Sequence, residues 1–312
     1  MKNPLFYAKI LLFGEYGIIE DSMGLSIPYN QFKGTLKSDA GKNDFALTSN
    51  KNLESFYNYL KNLQEKGESL FELDIERLGK DIKGGLYFDS SIPQGFGIGS
   101  SGALVASVYD KYAVQKINVE DEEQKDRIVS LKAILSQMES FFHGKSSGLD
   151  TLICYLNLPI LIKSKTDLGT VGLPSENDEG KGAIFLLNSG QQGQTQNMVT
   201  IFLEKCKNEG FRNLVRTQFK SYNDACISAF LNKEKKSLFS SLKNLSRLVF
   251  DNFSPMIPDK YRGLWQEGIE SNAYYLKLCG SGGGGFILGF TQDIEEARKK
   301  LKGHHLEVIH RF

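Results

Sequence analysis

Two glycine clusters constrain the fold of this 312-residue chain more than any other feature of its sequence. Residues 84–102 and residues 280–289 each hold six of the 31 glycines. Elsewhere glycine occurs near its ordinary frequency of about 7%. Glycine loses more conformational freedom on folding than any other residue, so a dense cluster indicates a backbone that turns tightly or approaches another group closely. The chain is therefore not generally flexible, and its glycines mark two particular places.

The first cluster carries a loop, residues 95–102, that we call the first glycine loop. Its glycines are Gly95, Gly97, Gly99 and Gly102. An apolar segment ending at Ile92 precedes the loop, and the small apolar run 103–107 follows it, which predicts a strand, a loop and a helix. Converging backbone N–H groups and the positive potential of a helix N-terminus suit a polyphosphate. The hydroxyls of Ser100 and Ser101 can cap the helix or bind Mg²⁺.

Three interpretations of the first glycine loop compete. Residues 97–102 match the GxGxxG fingerprint of dinucleotide-binding folds. Such folds also have an acidic residue at the end of a second strand. Glu120 and Asp121 are near the right distance for that residue, but they follow a helix rather than a strand. A Walker A loop would need a lysine after Gly102. The loop could also merely turn the chain, which is the usual meaning of an isolated GxGxxG. The glycine density and the paired serines favour a phosphate site.

Charge and composition narrow the class of protein further. Lys and Arg number 38 and Asp and Glu number 37, so the net charge of +1 provides no basic field for nucleic acid. No run approaches the roughly 18 apolar residues of a membrane span, and the N-terminus lacks a signal-peptide pattern. The cysteines are widely spaced: Cys154, Cys206, Cys226 and Cys279. We therefore expect a cytoplasmic protein without a zinc site, disulfide framework, nucleic-acid partner or membrane partner.

Apolar periodicity predicts a mixed chain of helices and strands. The first half is predicted to contain a strand over 6–19, a helix over 53–64, strands over 70–78 and 86–92, helices over 101–114 and 122–142, and an ambiguous apolar segment over 152–162. After an irregular connection over 164–182, the pattern predicts a strand over 183–188, helices within 194–270, strands over 274–279 and 286–290, a helix over 293–301 and a strand over 305–310. The change in composition predicts two domains, residues 1–170 and 171–312, the second of the α+β class.

Three segments, in the order found in the family, resemble motifs of the GHMP kinases, the group of galacto-, homoserine, mevalonate and phosphomevalonate kinases. They are Ala8–Tyr16, Pro93–Ala103 and Lys277–Gly285. The resemblance implies an α+β, two-domain GHMP kinase fold, with an N-terminal domain like ribosomal protein S5 domain 2 and a ferredoxin-like C-terminal domain. Within the family, the segment 139–150 is most similar to the mevalonate kinases.

The resemblance also implies roles for individual residues. Asp150 would be the catalytic carboxylate, Lys9 its cationic partner, and Glu139 with Ser101 would hold Mg²⁺. The glycine-rich segments would bind ATP through Gly95, Gly97, Gly99, Ser100, Ser101, Gly102, Gly282 and Gly283. The acceptor side would include Glu15, Tyr16, His143, Ser147 and Thr195. Tyr16 stands where the mevalonate kinase pattern has histidine, which weakens the assignment of the acceptor.

Residue chemistry offers ordinary alternatives to these roles. Lys9 lies in an apolar strand, where a charge is costly unless it is paired, so a carboxylate partner is expected unless Lys9 protects a strand edge. Asp150 could be a helix N-cap, and Glu139 could lie on a solvated helix face. The segment 280–285, which we call the second glycine loop, could be a flexible hairpin. Its glycine density favours close approach to the first glycine loop or to a substrate.

The expected activity is transfer of the γ-phosphate of ATP to the primary hydroxyl of mevalonate, with Mg²⁺, to give 5-phosphomevalonate. The alternatives are another GHMP kinase acting on a sugar or a mevalonate derivative, a dinucleotide-dependent oxidoreductase, and a noncatalytic nucleotide-binding protein. The expected partner is a small molecule, and the chain is expected to be a monomer or homodimer.

Overall fold

The computed structural model describes residues 3–38, 43–119, 124–144, 146–164, 166–177, 179–193 and 195–312. The chain forms two compact units, each built from several segments. Unit 1 comprises Met1–Lys9, Ile27–Pro93 and Gly99–Leu158. Unit 2 comprises Ile10–Ser26, Gln94–Ile98 and Pro159–Phe312. The division of the sequence at residue 170 stays a prediction.

Unit 1 combines a small part of a β-sheet with a group of helices. Strands β1 and β2 begin in one unit and end in the other. The elements are β1 (Phe6–Phe13), β2 (Gly24–Lys37), α1 (Asp44–Glu65), α2 (Ile75–Lys83), β3 (Tyr87–Ser90), α3 (Ser100–Tyr112), α4 (Gln124–His143) and α5 (Leu149–Leu156). Helix α1 begins where the side chain of Asn43 accepts a hydrogen bond from the amide of Ala46, the arrangement expected of an N-cap. Strand β3 pairs antiparallel with β2, from Gly34 with Ser90 to Lys37 with Tyr87.

Helix α3 forms the centre of unit 1. Its Ala103 and Ala106 are fully buried, and it packs against α4 and α5. A Cβ atom at Gly102 would lie 2.9 Å from the backbone nitrogen of Thr151 in α5, so a glycine is required there. The glycine at position 102 therefore allows the backbones of the first turns of α3 and α5 to pack in direct contact.

The predicted strand over 70–78 is wrong. Leu73 makes only an isolated bridge with Ala113, and residues from Ile75 onward form α2. The side chain of Asp74 accepts a hydrogen bond from the amide of Arg77 at 3.0 Å and caps this helix. The buried residues of α2 are Leu78 and Ile82, four positions apart, so the apolar pattern was that of a helix face rather than of a strand.

Unit 2 is built on a second, antiparallel sheet with the order β7-β8-β6-β9 in the described chain. Its elements, after a 3-10 helix over Gly17–Glu20, are β4 (Ile160–Ile162), β5 (Leu168–Thr170), β6 (Ala183–Asn188), α6 (Thr195–Lys205), α7 (Glu209–Leu214), a π-helical turn over Val215–Phe219, α8 (Lys220–Leu231), α9 (Lys235–Asn252), a 3-10 turn over Ser254–Met256, α10 (Asp259–Ser271), β7 (Tyr275–Leu278), β8 (Phe286–Thr291), α11 (Ile294–Lys300) and β9 (Leu306–Arg311). One helical connection, a hairpin and α11 link the four strands, which is the β-α-β-β-α-β topology of ferredoxin-like folds.

The core of unit 2 lies where this sheet meets its helices. Helices α9 and α10 pack against β7, and α8 packs against α9. Trp265 of α10 is fully buried, and its indole N–H donates to the carbonyl of Ser246 in α9 at 3.1 Å. Gly289 faces Phe185 across β8 and β6, where a Cβ would lie 2.2 Å from the aromatic ring. These contacts confirm the α+β class expected for this part of the sequence.

Strand β2 is a prominent element that the periodicity did not indicate. Its first six residues are mostly buried, but Asn30 and Gln31 are exposed and interrupt the apolar pattern. Its first residues pair antiparallel with β4, from Gly24 with Ile162 to Ser26 with Ile160, and β4 pairs with β5. The ambiguous segment 152–162 contains both structures, the end of α5 and then β4. Among the described residues, no helix is long and apolar enough to cross a membrane.

Candidate active site

A buried lysine and a half-exposed carboxylate form the centre of the candidate site in unit 1. The Nζ atom of Lys9 lies 2.8 Å from Oδ1 of Asp150. The Lys9 side chain is only 3% exposed, whereas that of Asp150 is 44% exposed. The predicted carboxylate partner of Lys9 is therefore present, and Lys9 is not an exposed edge residue. One face of the Asp150 carboxylate stays open to a small molecule while the ammonium behind it is shielded from water.

The first glycine loop gives Lys9 the space that it occupies. A Cβ atom at Gly99 would lie 3.0 Å from Cγ of Lys9 and 3.1 Å from Sγ of Cys154. Gly99 also has a φ angle of +86°, a conformation that residues with a Cβ rarely adopt. The sequence thus needs glycine here for two reasons, the turn into α3 and the buried lysine beside it.

Helix α5 begins at Gly148 and presents Asp150 in its first turn. Gly148 occupies the N-cap position with a φ angle of +72°, so Asp150 is not the cap residue. A Cβ on Gly148 would lie 2.4 Å from the carbonyl oxygen of Lys132 in α4, which holds the start of α5 close to α4. A carboxylate in the first turn is stabilised by the positive end of the helix dipole, in addition to its pairing with Lys9.

Glu139 is buried beside this pair rather than on a solvated helix face. The Ser101 hydroxyl donates to its Oε1 at 3.3 Å, and the Ser146 hydroxyl donates to its Oε2 at 2.5 Å. Burial, together with the nearby charge of Asp150, raises the pKa of Glu139 to about 7. Two carboxylates and two hydroxyls therefore lie together at the ends of α3, α4 and α5.

The second glycine loop in unit 2 is a hairpin, but it is held in place by its neighbours. A Cβ at Gly97 would lie 2.9 Å from the carbonyl oxygen of Cys279, and one at Gly285 would lie 2.7 Å from Cα of Phe96. The amide of Gly283 donates to the carbonyl of Met256 at 2.6 Å. Residues 95–97 and 279–285 thus touch backbone to backbone, as the glycine density led us to expect.

Glu15 and Lys277 form a second ion pair, inside unit 2. The Nζ atom of Lys277 lies 2.7 Å from Oε1 of Glu15, and both side chains are at most 2% exposed. Burial raises the pKa of Glu15, while the charge of Lys277 and the hydrogen bond from it act in the opposite direction. Lys277 Nζ also donates to the carbonyl of Leu278 at 2.9 Å. Unlike the Lys9–Asp150 pair, this pair is closed to solvent.

Tyr16, next to Glu15, is also buried. Its hydroxyl donates to the carbonyl of Ser281 in the second glycine loop at 2.5 Å. Its ring stacks on Phe202 with a centroid distance of 4.6 Å. Its φ angle of +60° is unusual for a residue with a side chain. Burial raises the pKa of Tyr16 above its ordinary value, so the hydroxyl stays protonated and remains a donor.

The remaining acceptor-side predictions are only partly located. Ser147 is exposed just before α5, and its hydroxyl accepts a hydrogen bond from the amide of Leu149 at 3.4 Å. The side chains of His143 and Thr195 lie outside the described part of the structure. Gly282 and Gly283 both have φ angles near +72°, as a tightly turning glycine loop requires.

Two residues of these clusters were not predicted as site residues. Lys277 lies in the fully buried strand β7. Because a buried charge is costly unless it is paired, the apolar residues around Lys277 predict a carboxylate partner for it, as they do for Lys9. Ser146 bonds Glu139, but a serine in a polar loop carries no signal that distinguishes it from its neighbours.

The comparisons with known proteins agree with the fold. Residues 56–157 match the family model described as the GHMP kinases N terminal domain. A search of curated proteins finds no significant match. The resemblance to the GHMP kinases is therefore confirmed for residues 56–157, a segment that contains the first glycine loop, Glu139 and Asp150.

Solved structures of several GHMP kinases share this fold. Mevalonate kinase of L. major in complex with R-mevalonate has a TM-score of 0.63 at 13% identity, covering 100% of this chain and 96% of that one. Galactokinase of Lactococcus lactis complexed with galactose has a TM-score of 0.66 at 13% identity, covering 98% and 92%. Phosphomevalonate kinase of Streptococcus pneumoniae, in complex with phosphomevalonate and AMPPNP, has a TM-score of 0.61 at 14% identity, covering 99% and 100%.

The dinucleotide alternative does not agree with this fold. The strand before the first glycine loop, β3, pairs antiparallel with β2. A dinucleotide-binding GxGxxG instead sits in a parallel β-α-β unit. The glycines at 97–102 therefore do not follow a parallel strand as a dinucleotide-binding fold requires, and they lie within the segment that matches the GHMP kinase family model.

Proposed function

We propose that this chain is an ATP-dependent kinase that transfers the γ-phosphate to the primary hydroxyl of mevalonate, giving 5-phosphomevalonate. The observation that carries the proposal is the pair of Lys9 and Asp150, a shielded ammonium 2.8 Å from a solvent-accessible carboxylate. This pair lies directly beside Gly99, at the start of α3. Phosphoryl transfer requires positioning and charge neutralisation more than covalent chemistry, and such a pair provides both.

Asp150 would orient the acceptor alcohol. Its accessible carboxylate accepts a hydrogen bond from the hydroxyl and can take up the proton as the oxygen attacks phosphorus. Lys9 pairs with this carboxylate and would offset negative charge that develops on the attacking oxygen or the transferred phosphoryl group. Because Lys9 is buried and Gly99 packs against it, its ammonium is fixed before substrate arrives.

The start of α3 would bind the phosphates of ATP. The first N–H groups of a helix have no partner within the helix and carry positive potential, which suits a phosphate group. Here these groups belong to Ser100, Ser101 and Gly102, after the left-handed turn at Gly99. The nucleotide contacts that the family resemblance implies for Gly95, Gly97, Gly282 and Gly283 stay predictions.

The residues beside Asp150 fit a magnesium ion. Glu139 supplies a carboxylate and Ser101 a hydroxyl, and their oxygens are 3.3 Å apart. Mg²⁺ prefers one or two protein oxygen ligands, with phosphate and water completing its shell. When bound, the ion would neutralise charge on the phosphates of the nucleotide.

Mevalonate as acceptor is supported by the resemblance of segment 139–150 and by the mevalonate kinases among the structures with this fold. One observation favours a second candidate, another small alcohol of the kind used by GHMP kinases. Tyr16 replaces the histidine of the mevalonate kinase pattern, and its hydroxyl is engaged by Ser281. Ser147 and the positions of His143 and Thr195 stay candidates for acceptor contacts.

ADP release across a panel of acceptors tests the proposal. Purified protein would be given ATP, Mg²⁺ and, separately, mevalonate, phosphomevalonate, galactose or homoserine. We expect ADP formation with mevalonate and no release of CO₂. ADP formation only with another alcohol would replace the acceptor but keep the kinase, and CO₂ release would indicate a decarboxylating relative instead. A protein that binds ATP–Mg²⁺ but releases no ADP with any alcohol would contradict the kinase assignment.

A further inference from the structure

We propose that Glu15 and Tyr16 are positioning residues for the second glycine loop and not contacts to the acceptor. We call these two adjacent residues the 15–16 clamp. The clamp fixes residues 277–281, and through them the backbone of residues 96–97. The inference deepens the proposed function, since it takes the nucleotide to be the ligand of these loops.

The first half of the clamp holds the strand end from which the loop begins. Lys277 Nζ binds the Glu15 carboxylate at 2.7 Å and also donates to the carbonyl of Leu278, the last residue of β7. Both charged groups are buried, so neither can exchange its partner for water without a large cost. The buried ion pair between Lys277 and Glu15 therefore fixes the end of β7 next to residue 15.

The second half of the clamp holds the loop itself. The Tyr16 hydroxyl donates to the carbonyl of Ser281, four residues beyond Lys277. The ring of Tyr16 is fixed by stacking on Phe202 and by a tilted contact with Phe253 at 5.8 Å. These aromatic contacts therefore fix the position of the Tyr16 hydroxyl that donates to the loop. Together the two halves attach the loop at its start and at its second residue.

The clamped segment in turn contacts the first glycine loop. The carbonyl of Cys279 lies against Gly97, and Gly285 lies against Phe96, at distances that leave no room for a Cβ. The amide of Gly193 also donates to the carbonyl of Gly95 at 2.8 Å. A shift of residues 279–285 would move residues 95–97, because no side chain separates the two backbones. The clamp therefore governs the position of a predicted nucleotide-binding segment.

The same contacts argue against an acceptor role for the clamp. Glu15 and Tyr16 are 3% and 6% exposed, and their polar groups are engaged by Lys277 and Ser281. An acceptor could reach the Glu15 carboxylate only by opening a buried ion pair. The resemblance to the family had implied acceptor contacts at both positions, so the two assignments make opposite predictions.

Two altered proteins test the clamp against a matched control. Tyr16→Phe removes the hydroxyl and keeps the stacked ring. Glu15→Leu combined with Lys277→Met removes both charges without leaving either one buried and unpaired. Tyr274→Phe is the control, since it deletes another buried tyrosine hydroxyl in unit 2, one that donates to the carbonyl of Leu264 at 2.8 Å.

The measurements are amide hydrogen exchange over residues 279–286, the Kd of ATP–Mg²⁺ and the KM of the acceptor. We expect faster exchange and a Kd raised about five- to tenfold in both altered proteins, equivalent to the loss of one hydrogen bond, with little change in acceptor KM. Tyr274→Phe should change none of the three. A raised acceptor KM with unchanged exchange and unchanged nucleotide Kd would overturn the inference.

The exchange measurement separates this inference from the proposed function. If the protein phosphorylates none of the tested alcohols, exchange and nucleotide Kd still report on the clamp. If exchange over 279–286 is the same in Tyr16→Phe as in the unaltered protein, the clamp does not hold the loop, whatever the activity.

Discussion

Two lysines lie inside apolar strands, and each is paired with a carboxylate. The two pairs differ in the solvent exposure of the carboxylate, and this difference decides what each pair can do. Lys9 and Lys277 are both almost completely buried and both paired, as the cost of burying a charge requires. Asp150, the partner of Lys9, is half-exposed and can meet a substrate. Glu15, the partner of Lys277, is enclosed, which is why we infer a positioning role for it. The same kind of ion pair therefore makes Asp150 a candidate catalytic group and makes Glu15 a candidate positioning residue.

Single-residue chemistry predicted part of this arrangement. The cost of Lys9 in an apolar strand indicated a carboxylate partner, and the motif resemblance identified Asp150 and Glu139. The assignment of Glu15 to the acceptor side comes from the family pattern and stays a prediction. Lys277 lies, like Lys9, in an apolar strand, so the same cost of burying a charge indicates a carboxylate partner for it. Which carboxylate meets which lysine depends on contacts distant in the chain, with 262 positions separating Glu15 from Lys277.

Glu139→Gln tests the proposed metal ligand. The amide keeps the size of the side chain, and its oxygen can accept one of the Ser101 and Ser146 hydrogen bonds while its NH2 group donates to the other hydroxyl, but it loses the charge that attracts a divalent cation. We expect the Mg²⁺ concentration for half-maximal activity to rise about tenfold or more. A tenfold rise corresponds to a loss of about 1.4 kcal/mol in the free energy of Mg²⁺ binding. A Mg²⁺ titration that matches the unaltered protein would remove Glu139 from the metal site.

At the scale of elements, the long helices and the C-terminal strands were predictable and the N-terminal sheet was not. The second half of the sequence has continuous apolar strands, such as β6, whose burial shows directly in the residues. Strand β2 breaks its pattern at Asn30 and Gln31, where the strand reaches solvent. Helix α2 replaces the predicted strand because Asp74 caps a helix there and the buried residues Leu78 and Ile82 are spaced as on a helix face.

The junction of α4 and α5 predicts different costs for two similar glycines. Gly144 and Gly148 have φ angles of +74° and +72°, so alanine at either position strains the backbone. Among the described residues nothing lies within 4 Å of a Cβ at Gly144, whereas one at Gly148 would lie 2.4 Å from the Lys132 carbonyl. Gly144→Ala should cost about 1 kcal/mol of unfolding free energy and Gly148→Ala about 3 kcal/mol.

Thermal or urea unfolding of the two alanine proteins measures this difference, with Gly144→Ala as the matched control for backbone strain alone. Equal destabilisation would mean that α5 does not start against α4 as described. Because α5 carries Asp150 in its first turn, Gly148→Ala should also lower activity, while Gly144→Ala should preserve most of it.

At the scale of the whole molecule, the glycine excess has a structural explanation. Residues 95–97 and 279–285 are far apart in the sequence and meet backbone to backbone in unit 2. Glycine density predicted an approach either to the first glycine loop or to a substrate, and the structure shows that the second glycine loop contacts residues 95–97 of the first. The fold itself is shared by kinases of mevalonate, phosphomevalonate and galactose, so the fold alone does not identify the acceptor, which depends on the residues of the site.

The proposed kinase activity depends most directly on Asp150, which, paired with Lys9, would orient and deprotonate the acceptor alcohol. The most direct test is the initial rate of acceptor-dependent ADP release by Asp150→Asn, measured beside the Kd of ATP–Mg²⁺ for the same protein. We predict a kcat lower by about 10²- to 10⁴-fold, the usual contribution of a general acid–base group, with a nearly unchanged nucleotide Kd. A kcat close to that of the unaltered protein would contradict the account.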